Sequence, residues 1–184
     1  RLAALGDEFA VPVRTRSFDA VLAMPDVDVV DICTPPGLHV PQTLAALAAG
    51  KDVICEKPIA GSLADVDRLI AAEAAAPGRV MPIFQYRWGD GYQRAQRLVR
   101  AGRAGKAYAA TVETHWRRTP DYYAVPWRGR FATELGGVLV SQAIHIHDML
   151  VGLMGPDRSV FARTATRVNA IEVEDTVSAS LEMV

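Results

Sequence analysis

Three apolar, β-branched runs separated by helical patterns constrain this chain most: "VDVVDICT" over 27–34, "DVIC" over 52–55 and "RVMPIF" over 79–84. Between the first two, "LHVPQTLAALAAG" places Leu44, Leu47 and Ala48 at helical spacing before a stop at Gly50. Between the next two, "GSLADVDRLIAAEAAAPG" opens on Ser62 and Asp65 in capping-box-like order and stops at Pro77-Gly78. Strand, helix, strand, helix, strand with short connections is the pattern of parallel βαβ units, whose crossover helices cover a buried sheet. The C-terminal ends of parallel strands share one edge, and ligands bind in the crevice outside it. Thr34-Pro35-Pro36 and Glu56-Lys57-Pro58 follow successive strands. They are therefore predicted neighbours on a binding edge.

Near Gln85 the pattern changes. A helix around "YQRAQRLVRAG" and an alternating strand over 107–116 lead into a polar stretch with Pro120 and Pro126. A helix after Gly136-Gly137 and two further strands follow. The expected fold class is α/β, with an incomplete Rossmann-type parallel sheet over 1–84. Residues 85–184 are expected to form an α+β domain with a largely antiparallel open sheet. The opening "RLAALGDEFAVP" reads as the last turns of a helix, and the closing "TVSASLEMV" as a half-buried strand without a turn. The chain is thus expected to be a fragment cut at both ends.

Half of the residues are apolar, 22% are charged, and the formal net charge is −1. Without a Lys/Arg block there is no concentrated positive field for nucleic acid or for an anionic membrane. A small-molecule or protein partner is expected instead. Cys33 and Cys55 each sit in an apolar run outside any Cys-x-x-Cys ladder, and are expected to be buried free thiols in a reducing cytosol. No stretch reads as the roughly 20 apolar residues that span a bilayer, so a cytoplasmic location is the default expectation.

Lys57 is the first candidate for chemistry. A solvated loop lysine is the plain alternative, but its place at a ligand-binding edge and the backbone restriction imposed by Pro58 aim its side chain. A second candidate group lies on the apolar helix "GGVLVSQAIHIHDMLVGLMGP": Ser141, His145 and Asp148 are spaced four and three apart and share one helical face. A hydrogen-bonded core histidine is the alternative there. His145, His147 and Asp148 could instead serve a metal-dependent hydrolase, although His-x-His spacing suits a strand better than a helix. His115, Trp116, Arg117 and Tyr123 are expected to line a substrate cleft, with packing or an oligomer contact as the alternative for the two aromatic residues.

"DICTPPGLH", "CEKP" and "GGVLVSQAIHIHD", in this order and spacing, resemble the Gfo/Idh/MocA family of NAD(P)-dependent oxidoreductases. The resemblance runs over essentially the whole chain. It implies a Rossmann domain followed by an α/β domain whose open sheet commonly makes oligomer contacts, hence a homo-oligomer. It implies NAD or NADP as cofactor, and a sugar, cyclitol or related polyol as substrate. Thr34, Pro35, Pro36 and His39 resemble the loop bordering the dinucleotide. Glu56 and Lys57 resemble the motif beside nicotinamide and substrate, His145 the catalytic histidine, and Trp127-Arg128 an element approaching the nicotinamide end. Ser141 stands where many relatives carry an acidic or amide residue, and the glycine-rich phosphate turn and acidic ribose selector are not in the sequence. The implied reaction is hydride transfer at a carbinol carbon. His145 would remove the hydroxyl proton, Lys57 would stabilise the alkoxide, and Asp148 would position substrate or imidazole, with the roles of His145 and Lys57 open to exchange. A non-catalytic binding or assembly module is the other class.

Overall fold

A computed structural model describes all of residues 1–184. Helix α1 (Leu2–Glu8) is followed by α2 (Phe18–Leu22), whose start is capped by the Ser17 hydroxyl accepting from Ala20 N at 3.1 Å. The three apolar runs form β1 (Val29–Ile32), β2 (Asp52–Cys55) and β3 (Val80–Pro82), connected by α3 (His39–Ala48) and α4 (Leu63–Ala75). The strands pair in the order β1-β2-β3, all parallel, with Ile32 opposite Cys55 and Cys55 opposite Pro82. Ser62 caps α4 as its sequence position predicts, its Oγ accepting from Asp65 N at 3.1 Å. The core is small and lies between sheet and helices: Val30, Ile32, Ala46, Leu47, Val53 and Cys55.

Near-continuous apolarity predicts strands buried on both faces, yet β1 alternates between exposed and buried. Residues Val29 and Met81 are 48% and 50% exposed. The physical reason is that α3 and α4 contact each other on one side of the sheet, so only that face is packed. The same alternation corrects the reading of the thiols. Cys55 is buried, but Cys33 lies past the end of β1 and is exposed.

The second half begins with a 3₁₀ turn, Gln85–Trp88, and α5 (Asp90–Arg100). The strand predicted over 107–116 does not form; this stretch joins no ladder and is largely exposed. Alternation permits a strand, but a strand needs a neighbour to accept its N–H groups, and none runs alongside. Two short helices follow, α6 (Pro120–Tyr123) and α7 (Phe131–Glu134). A π-helical turn, Leu139–Ala143, runs directly into α8 (Ile144–Met154). The antiparallel pair β4 (Asp157–Ala165) and β5 (Thr176–Met183) completes the chain.

By length and composition the run Phe131–Met154, 24 residues of mean hydropathy 1.3, is able to cross a bilayer, against the expectation from sequence. Within the fold Leu135 breaks it at φ 70°, and Glu134, Gln142 and His145 are buried polar groups along it. Only part of the run is buried in this fold. Its beginning is tied to the sheet by Glu174: the carboxylate accepts from Gly137 N at 2.9 Å and Leu139 N at 3.2 Å, and the main-chain oxygen accepts from Val138 N at 3.0 Å.

Asp175, next to it, organises the turn between β4 and β5. Burial opposes its ionisation, but N–H bonds from Arg167, Asn169 and Val168, with Thr176 Oγ1, outweigh that and hold its pKa down from 3.8 to about 2. A depressed carboxylate stabilises the fold above its unfolded pKa and loses that contribution as pH falls through the folded one. Asp175→Asn is therefore expected to lower unfolding stability by about 1–2 kcal/mol at neutral pH, allowing for partial exposure. In denaturant titrations the gap to wild type should close as pH falls from 3.8 towards 2.

Candidate active site

The C-terminal ends of the three parallel strands open onto a cavity of about 370 Å³. One wall is built from strand-edge residues: Cys33, Thr34 and Pro36 after β1, Glu56, Lys57 and Pro58 after β2, Gln85 and Tyr86 after β3. The other wall comes from the second half, with Trp116, Arg118, Tyr122, Trp127, Arg128, Glu134, Ser141, Gln142 and His145. Thr34-Pro36 and Glu56-Pro58 are neighbours, as parallel pairing requires. His39, 1% exposed, joins these two loops: its Nδ1 lies 2.7 Å from Pro58 O and its Nε2 2.8 Å from Thr34 O. Its role in this geometry is to hold the wall together. Thr34 Oγ1 in turn donates to Gln42 Oε1 at 2.6 Å, and Pro35 precedes the short 3₁₀ turn without lining the cavity.

Lys57 crosses the cavity. Its Nζ donates to the main-chain oxygen of Ser141, joining the parallel sheet to the helix that carries His145. A π-helical turn loosens the regular ladder, which makes its carbonyls available to such partners. The Ser141 hydroxyl is used elsewhere, donating to Gly137 O at 2.8 Å. Ser141 thus meets Lys57 through its backbone.

His145 is 4% exposed; its Nδ1 is buried without a partner. Tyr86 stacks on its ring at 4.7 Å and 22°, and Phe84 meets it edge-on at 6.3 Å. These contacts fix the imidazole plane while leaving a polar atom unsatisfied. A buried donor or acceptor is costly unless paired. Most of the residues lining the cavity are polar or charged, which suits a polar guest.

The electrostatics favour neutral forms. Burial lowers the Lys57 pKa from its ordinary 10.5, Glu56 opposes this, and Arg128 and Arg118 add repulsion. Burial and the neighbouring Lys57 likewise depress His145 from its ordinary 6.5, against weaker pulls from Glu56 and Asp148. His145 is thus predominantly neutral at pH 7. Glu134, 1% exposed, receives Gly129 N at 2.6 Å and lies 3.9 Å from Arg128. Gly129 is required at that approach: its φ is +73° and an added Cβ would meet Ile171 at 2.8 Å.

Several sequence-derived assignments are corrected. Asp148 does not line the cavity; Arg87 binds it in a fork at 2.8 and 2.5 Å, because α8 turns that position towards the 3₁₀ turn. Trp116 reaches the cavity but His115 and Arg117 do not. They line a separate groove beside α8, and His115 is 86% exposed. Arg118 occupies the wall in place of Arg117, and Tyr122 in place of Tyr123, which faces another depression. The first shift goes with the absent strand, since alternation no longer decides which residues face inward, and the second with α6, on which the Tyr122 and Tyr123 rings stand at 86° to each other. His147 lines the outer groove and lies 3.8 Å from Asp157, so His145, His147 and Asp148 do not converge on one point. Tyr86 and Gln85 were findable, because they follow β3 as Lys57 follows β2.

Residues 1–84 match the model described as oxidoreductase family, NAD-binding Rossmann fold. Residues 92–184 match that of the GFO/IDH/MocA C-terminal domain. The chain belongs to the Gfo/Idh/MocA family. Among its relatives, 1,5-anhydro-D-fructose reductase of Ensifer adhaerens is 34% identical over 158 residues, 85% of this chain and 46% of that protein. Myo-inositol 2-dehydrogenase of Thermotoga maritima is 28% identical over 88% of this chain and 47% of its own length. The crystal structure of the WlbA dehydrogenase from Bordetella pertussis, in complex with NADH and UDP-GlcNAcA, superposes with a TM-score of 0.92 at 36% identity, covering 98% of this chain and 52% of that one. This Gfo/Idh/MocA chain spans about half the length of the relatives it matches.

The geometry distinguishes two substitutions near Lys57. Ser141→Ala should leave the Lys57 contact in place, since the carbonyl makes it. Gly137→Ala should not: its Cβ would fall 1.9 Å from Glu174 O and 2.6 Å from the carboxylate, displacing the residue that anchors the π turn. A loss of about 2–3 kcal/mol is expected, read as a lower thermal midpoint, against at most about 1 kcal/mol for Ser141→Ala.

Proposed function

We propose that this chain supplies the reacting centre of an NAD(P)-dependent oxidoreductase that transfers a hydride between nicotinamide and a carbinol carbon of a sugar, cyclitol or related polyol. The observation that carries the reading is the meeting of Lys57 and His145, from opposite walls, in one cavity at the C-terminal edge of the parallel strands. The relatives' names support the substrate class: one reduces 1,5-anhydro-D-fructose and another oxidises myo-inositol. The division of labour is part of the proposal, with residues 1–84 on the cofactor side and 85–184 on the substrate and subunit-contact side.

The bound cofactor would accept or supply the hydride; the protein's own groups manage the proton and the oxygen. Thr34, Pro36, Glu56 and Trp127-Arg128 border the space a nicotinamide would enter, and His145 lines the same cavity. Neutral His145 accepts the hydroxyl proton as the carbinol is oxidised. Cationic Lys57 orients the oxygen and offsets its developing negative charge. Tyr86 holds the imidazole in plane and excludes water from one face. The exposed Val160 and Phe161 on β4 support subunit contact through that sheet.

Kinetics test these roles. His145→Asn should lower the turnover of alcohol oxidation by about 10²- to 10⁴-fold. In wild type, kcat/KM should rise with pH through a group below 6.5, the unprotonated form of His145 being active, and this limb should vanish in the variant. An alkaline fall below 10.5 should report loss of the Lys57 cation and disappear in Lys57→Met. Wild-type turnover in Lys57→Met would remove Lys57 from the reacting centre.

A further inference from the structure

Arg118 is the cavity residue whose charge the proposed hydride chemistry leaves unused. It comes from the extended stretch before α6, and its Nε donates to Gln142 Oε1 at 3.1 Å. Gln142 is 5% exposed, so this anchor is rigid. The guanidinium lies 5.3 Å from the Trp116 ring centre and 4.6 Å from that of Tyr122. Its Nη groups make no hydrogen bond within the protein, and no carboxylate lies within ion-pair distance of it. A long cationic side chain normally turns its head to water. This one is held against two rings and one buried amide, with its paired donors free.

The surrounding charges sharpen the point. Arg128 approaches the same Tyr122 ring, at 3.9 Å, and donates to its hydroxyl. Two guanidinium groups on one ring repel each other, and the nearby buried carboxylate, Glu134, lies 3.9 Å from Arg128. Across the cavity, Lys57, Arg118 and Arg128 face only Glu56 and Glu134. Both arginines disfavour the Lys57 cation, so the three positive groups act on one another. A cavity with one positive charge in surplus fits a monoanion better than a dianion.

We propose that Arg118, anchored by Gln142 and flanked by Trp116 and Tyr122, binds a carboxylate carried by the sugar substrate, making this a site for acidic sugars. The planar fork of a guanidinium matches a carboxylate through two parallel hydrogen bonds, which a neutral hydroxymethyl group cannot make. A sugar so held has one end against the Arg118 wall. Its ring hydroxyls then lie towards Lys57 and His145. The inference rests on the oxidoreductase reading for its purpose, though not for its measurement.

Calorimetry on the whole chain, with and without NADH, should compare D-glucuronate with D-glucose, and with glucose 6-phosphate as the dianionic alternative. Glucuronate should bind at least about tenfold more tightly than glucose, the scale of a charge-assisted hydrogen bond. Arg118→Met should abolish that preference and Arg118→Lys should keep part of it, while NADH affinity stays unchanged in both. Equal binding of the two sugars, no binding of either, a preference for the phosphate, or a preference that survives Arg118→Met would overturn the assignment. Weakened NADH binding in Arg118→Met would also overturn it, giving the residue to the cofactor. Hydride transfer to NAD with any of these sugars is read separately. Its absence alongside an intact glucuronate preference would count against the oxidoreductase and not against the carboxylate site.

Discussion

The Lys57 ammonium on the Ser141 carbonyl is the contact on which the site depends, because it joins a loop of the parallel sheet to the helix that carries the histidine. Each end of that contact is prepared by its own half of the chain. On the sheet side, β2 delivers Lys57, His39 ties the loop that follows to the loop after β1, and the Lys57–Pro58 peptide is cis. On the helix side, Glu174 anchors the chain at Gly137 and Leu139, and the π turn presents the carbonyl. A half-buried ammonium facing one neutral oxygen is incompletely compensated, which is why its pKa is lowered and why a substrate oxygen is a natural partner for it.

The cavity is lined by cationic and aromatic side chains, and these properties belong together. Aromatic rings hold guanidinium groups in place without neutralising them, whereas a carboxylate would cancel the charge that a ligand is to meet. Tyr122 serves both arginines, and Tyr86 serves His145 by stacking. Burial lowers the pKa of both basic groups of the proposed reaction, and the Lys57 charge lowers that of His145 further, so that the imidazole is the one held neutral. The guanidinium groups of the two arginines remain to meet an anion.

Much of the fold was legible in the sequence, and the reasons are local. The βαβ units follow from β-branched runs, a capping serine and glycine or proline stops, all of which act within a few residues. Placing Lys57 beside Thr34 then needed only the rule that parallel strands share a C-terminal edge. The same rule extended to β3 would have reached Tyr86. The errors have equally specific causes. Helical spacing put Asp148 on the His145 face, but Arg87 takes its carboxylate, a partner 61 residues away in sequence. Alternation over 107–116 implied a strand and so an inward-facing set. Without a neighbouring strand the stretch runs free of any ladder, and the residues that reach the cavity are Trp116, Arg118 and Tyr122.

By itself, then, the sequence determined the parallel sheet, the edge on which Lys57 stands and the helix on which His145 rides, since these depend on short-range propensity and on a topology with few solutions. Only the tertiary structure decided what those residues meet. The Ser141 carbonyl, the Tyr86 ring and the Arg118–Gln142 pair come together because two separately patterned halves pack across one cavity. No periodicity within either half records which of its polar groups will be paired and which left free.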